Sequence, residues 1–116
     1  MKKFLVLFLA PVSVLEDWMN KPKEERKAEE DKMSVEWKKW IKDNEDSMVE
    51  IPAGAGKTKT VNKKGIMDTR NDVMMYAIVK ANSHDDAAAL FVDHVHLQIP
   101  EATIEIMEIN PLTGMA

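Results

Sequence analysis

With 116 residues, 45% of them hydrophobic and 31% charged, the chain has the composition of an ordinary folded protein rather than a disordered segment, and its size suits one domain over residues 1–116. A net charge of −4 argues against a nucleic-acid binder, and the lack of cysteine excludes a disulfide framework, a thiolate metal site and a cysteine nucleophile. That lack also fits a reducing, cytoplasmic setting, while nine methionines point to adaptable packing at a core or an interface.

The chain opens MKKFLVLFLAPVSVLEDW. Two lysines and an apolar run begin a secretory signal peptide, but they also begin a buried strand. Pro11 and Val12-Ser13-Val14 offer no small-residue cleavage site, and Phe4–Ala10 is too short to span a bilayer. Both alternating sets in the run are apolar, Phe4, Val6 and Phe8 against Leu5, Leu7 and Leu9, which predicts a strand covered on both faces. Ser13 to Glu16 has the form of a capping box and predicts a short helical turn through Trp18. Asn20 offers a second N-cap, with Pro22 in the first turn of a long charged helix to about Asp46. Its apolar stripe is Met33, Trp37, Trp40 and Ile41, and its other faces carry charges of both signs.

Ser47–Ile51 reads as a short strand ended by Pro52, followed by a loop through Gly65 that leaves room for a brief edge strand at Thr58–Val61. Val73–Ala81 is a second strand apolar on both faces. Ser83 and Asp86 form a capping box for a helix to about Asp93, with Ala87, Leu90 and Phe91 inward. Thr103–Ile109 alternates and predicts a strand exposed on one side. The order β-α-β-β-α-β predicts an α+β, ferredoxin-like fold with an antiparallel sheet. Its first and third strands would be central and both helices would lie on one face. The other face would then need a second copy of the chain, so a homodimer is expected.

The sites are less sharply marked. Gly54-Ala55-Gly56-Lys57-Thr58 lacks the first glycine of a phosphate-binding loop, because Ile51 holds that position, and no helix is expected to follow. A flexible loop with Lys57 near its end remains. Asp68 and Arg70 lie in a polar loop, where the two could pair or Asn71-Asp72 could simply form the turn, the reading favoured here. His94 and His96 follow Asp93; in an extended chain their spacing sends both rings to one side. Three readings stand for them: a structural role near a helix end, the lining of a ligand pocket, and a metal site for which Asp93 is the one near third ligand.

The stretches GKTKTVNKKGI, RNDVMMYAIVKANSHDDAA and HVHLQIPEATIEIMEI together resemble the YCII-related proteins of the dimeric α+β barrel superfamily. The likeness covers most of the chain and is strongest from Gly56 to Ile109. It implies two ferredoxin-like protomers packed sheet against sheet, with a cleft for a small organic molecule. Some YCII-like proteins are proposed to use a His–Asp pair whose histidine sits on the first long helix. This chain has Trp37, Trp40 and charged residues there instead, so a pair would have to come from His94 and Asp93. As an enzyme the protein would be cofactor-independent and metal-free. His94 or His96 would be the acid–base group, Asp93 would orient it, and Trp37, Arg70 and Lys57 would contact the ligand. The alternative is a non-catalytic binding or interaction module whose histidines are structural. No membrane or nucleic-acid partner is expected in either case.

Overall fold

Phe4, Val6 and Phe8 are fully buried, and the leucines between them are half-buried, so the opening strand has two different apolar faces. The computed structural model describes residues 1–112. In chain order, the strands are β1 (Lys2–Leu9), β2 (Met48–Gly54), β3 (Thr58–Asn62), β4 (Gly65–Thr69), β5 (Val73–Ala81) and β6 (Thr103–Glu108). The α-helices are α1 (Val12–Met19), α2 (Lys23–Asp43) and α3 (His84–Ala89), with single 3₁₀ turns at Glu45–Ser47 and Val95–Gln98. The fold is mixed α+β. A four-stranded antiparallel sheet has the order β2-β5-β1-β6, and a separate two-stranded sheet pairs β3 with β4. The two strands that are apolar on both faces, β1 and β5, are the central ones, as their sequences predict.

The core lies on one face of the larger sheet. Phe4, Val6 and Phe8 of β1 join Ala77, Val79 and Ala81 of β5 there, and Ala87 and Phe91 cover them from the α3 side. Trp37 and Trp40 of α2 pack on the same cluster, which places both long connections over one face as expected. The opposite face presents Leu5, Leu7, Ile78, Tyr76 and Met107, none fully buried, with Leu7 paired to Tyr76 and Leu5 beside both Ile78 and Met107. The chain measures 52 × 45 × 19 Å, the thickness of one sheet and one helix layer. Its radius of gyration is 16.3 Å, against about 13 Å for a compact chain of this length.

Several local expectations change. The α1 cap is Pro11 with no side-chain hydrogen bond, because Ser13 already lies inside the helix. Asn20 ends α1 instead of opening α2, whose N-cap is Pro22, and α2 stops at Asp43 before the first 3₁₀ turn. The Ser83 cap forms as predicted, its Oγ accepting from the Asp86 N–H at 3.0 Å, but α3 ends at Ala89. Pro52 does not end β2. The strand lies at a sheet edge, and its register against β5 slips between Glu50 and Ala53, so no ladder bond is required of the proline.

The largest departure is the loop after Gly54, which folds into the β3–β4 hairpin. Lys63 and Lys64 make its turn, the Lys64 N–H donates to Asn62 Oδ1 at 2.8 Å, and Gly65 supplies the positive φ of +131°. Asp68 therefore pairs across the hairpin with Lys59 at 2.6 Å, while Arg70 reaches back to Glu16 at 2.8 Å.

Phe8 links the layers of the core, with its ring centroid within 6 Å of those of Trp37, Phe91, His94 and His96. We expect Phe8→Ala to cost about 3–5 kcal/mol in urea unfolding, as large-to-small core substitutions do. A loss below about 1 kcal/mol would mean that this contact does not hold the helices to the sheet.

Candidate functional site

The chain leaves α3 through a run of turns that ends at Asp93, whose φ of +61° swings the backbone out of the helical path. His94 is consequently not in an extended segment. It is the N-cap of the second 3₁₀ turn, and its Nδ1 accepts the His96 N–H at 3.0 Å. The two rings therefore point to different partners. His96 Nε2 donates to the Leu9 carbonyl at 2.9 Å, tying this turn to the end of β1. His94 enters an aromatic box, edge-on to Trp37 and Trp40 at centroid distances of 4.5 and 4.6 Å and tilted against Phe8 and Phe91.

Both rings are at least 98% buried, with 2% of His94 and 0% of His96 exposed. Burial disfavours the imidazolium and, helped by repulsion from His96, pushes His94 down from 6.5 to about 4. Burial lowers His96 as well, opposed by the backbone of Leu9 and Thr103. With Nδ1 accepting, neutral His94 carries its proton on Nε2, an atom with no hydrogen-bond partner. His96 Nδ1 likewise has no partner of good geometry, although the Thr103 backbone lies close enough to favour a proton on the ring. Asp93 is exposed and bonds to neither histidine. Trp40 is also committed to structure, its Nε1 donating to the Leu90 carbonyl at 3.1 Å.

Of the remaining predicted site residues, Lys57 and Arg70 lie outside this box and Trp37 at its edge, beside two cavities at the end of the sheet where β1 leads into α1. One, of about 1180 Å³, is bounded by the hairpin, the start of α1 and the start of β5; Lys57, Lys59 and Arg70 line it over Leu15, Val73 and Met74. The second, of about 670 Å³, lies between α1 and α2 and takes in Trp18, Met33, Trp37 and Met75. Lys57 and Arg70 are thus brought together, Trp37 is in the adjoining cavity, and neither His94 nor His96 lines either space. Trp18 and Met33 become cavity residues only through the placing of α1 beside α2; Met33 was visible in the sequence as part of the helix stripe, without a hint of a cavity. His84, the third histidine, stacks on Phe4 and bonds through Nε2 to the Ile106 carbonyl at 2.7 Å, fixing α3 to β6.

Among the described residues no group of three or more histidines and carboxylates stands close enough to hold a metal ion, and no helix is long and apolar enough to cross a membrane. No model of a known protein family matches the chain, and no curated protein matches it.

The histidine box makes stability pH-dependent in a definite sense. The folded chain holds His94 neutral to about pH 4, whereas the unfolded chain binds the proton below about 6.5. Its contribution is therefore complete above pH 6.5 and is lost as pH falls through that window, to a limit of about 3 kcal/mol at about 1.4 kcal/mol per pH unit. Urea unfolding from pH 7 to pH 4 should show this loss beyond that of His94→Asn, whose side-chain oxygen keeps an acceptor for the His96 N–H. Equal pH dependence in the two proteins would contradict a neutral, buried His94.

Proposed function

We propose that the protein is a cytoplasmic homodimer that binds a small organic molecule at the end of its sheet, with His94 and His96 serving the fold. The observation that carries this proposal is that neither histidine reaches the adjoining cavities, although Trp37 belongs both to the His94 box and to the second cavity. The cavities hold Lys57, Arg70 and Trp37, whereas both histidines are sealed away from them. An imidazole with a pKa near 4 is also a poor base at neutral pH, which favours binding over acid–base catalysis. An enzyme built on His94 or His96, with Asp93 beside them and no cofactor, would need the aromatic box to open.

The sheet order, with β1 and β5 central and the β3–β4 hairpin set aside, supports a ferredoxin-like reading of the larger sheet. Together with the sequence likeness, it supports kinship with the YCII-related proteins of the dimeric α+β barrel group. Dimerisation through the uncovered face rests on its side chains. Leu5, Leu7, Tyr76, Ile78 and Met107 are neighbours by strand register. Four strands of six to nine residues form a face of about 500 Å² in all, on which this apolar cluster sits with Glu105 opposite Leu7. A two-fold contact would close it.

Light scattering at micromolar concentration should give a mass near twice 13.2 kDa. Leu7→Lys, which charges the middle of this face, should give a folded monomer. A wild-type monomer, or a dimer unaffected by Leu7→Lys, would refute the sheet-face contact. Retention of ligand affinity by His94→Asn is expected of a binding module, and its loss in a folded variant would favour the enzyme.

A further inference from the structure

The two cavities adjoin, sharing Ala10, Leu15 and Met74 in their walls, and they differ in chemistry from end to end. At the hairpin end, Lys57, Lys59 and Arg70 converge over an apolar floor. Two of these cations are already matched, Lys59 by Asp68 at 2.6 Å and Arg70 by Glu16 at 2.8 Å. Lys57 has no acidic partner among the described residues, so this end carries one unmatched positive charge on an exposed side chain. At the helix end, Trp18, Trp37, Met33 and Met75 surround apolar space. The charges on that rim, Asp17, Glu29 and Glu30 against Lys21 and Lys32, leave one surplus carboxylate and give no welcome to a second anion.

We infer that the two cavities act as one trough for an amphipathic monoanion, its carboxylate at Lys57 and its apolar tail between α1 and α2. This rests on the binding reading given above and adds to it the ligand's charge, its orientation and the residue that reads its head. Lys57 recognises the anionic group as a point charge. Arg70, fixed by Glu16, shapes the mouth of the same end. The tail gains affinity by leaving water for a surface of tryptophan and methionine, side chains that adapt to an irregular apolar shape.

The inference is tested by calorimetric titration of the full chain with dodecanoate below micelle formation, with dodecanol below its solubility limit, and with acetate. Dodecanoate should bind at least ten-fold tighter than dodecanol, and acetate should not bind measurably. Lys57→Glu, a change at an exposed position, should weaken dodecanoate at least ten-fold and leave dodecanol within two-fold. Trp18→Ala should weaken both, with circular dichroism confirming that each variant is folded. Equal affinity for acid and alcohol, or indifference of dodecanoate to Lys57→Glu, would overturn the orientation while leaving a binding site intact. Binding of acetate without dodecanoate would overturn the trough. If dodecanoate, acetate and benzoate failed to bind at millimolar concentration and dodecanol failed to bind up to its solubility limit, the binding reading itself would fall.

Discussion

Phe8 stands where every layer of the protein meets. It lies on a central strand and is fully buried. It touches Trp37 from the long helix, Phe91 from the turn after α3, and both histidines of the second 3₁₀ turn. An aromatic ring contributes most when its edges and faces are met by other rings, and Phe8 finds that environment on several sides. The hydrogen bond from His96 to the Leu9 carbonyl secures the backbone next to it, so one residue pair of β1 fixes both the helical layer and the turn that leads into β6. α2 has no fully buried residue of its own, which makes its attachment depend heavily on Trp37 and Trp40 at this junction.

A buried histidine in such a box must be neutral, and neutrality has a chemical consequence. The ring loses the property that makes histidine useful near pH 7, its readiness to exchange a proton, and gains that of a flat, half-polar packing group. Its one satisfied nitrogen organises the local backbone. The open part of the molecule adjoins the box at Trp37, where α1 and the hairpin flank the sheet end and lysine, arginine and tryptophan line the walls. Closed histidines and open cavities, cationic only at the hairpin end, thus lie side by side.

Much of the large sheet is legible in the sequence because its central strands must be apolar on both faces, a pattern that FLVLFL and VMMYAIV carry without ambiguity. The Ser83 cap and the inward set of Ala87 and Phe91 are legible for the same local reason. The hairpin is not. Its strands are short and mix lysine, threonine and aspartate, and its glycine follows the two turn lysines instead of sitting between the strands beside an asparagine. The histidines mislead in another way. Their H-x-H spacing implies a shared side only if the chain is extended, and Asp93 in the left-handed region starts a 3₁₀ turn that separates them. The pairing of Arg70 with Glu16, 54 residues apart, depends on where α1 lies beside the sheet, which no local pattern encodes.

The claim on which this description turns is that His94 is a neutral packing group with its Nδ1 held as an acceptor. Long-range ¹H–¹⁵N correlation spectra of the full-length protein, followed from pH 8 to pH 3.5, read both properties at once. The account predicts an unprotonated Nδ1, a protonated Nε2, and no change of state until the pH approaches about 4. A His94 that titrates at or above pH 6, or that carries its proton on Nδ1, would contradict it.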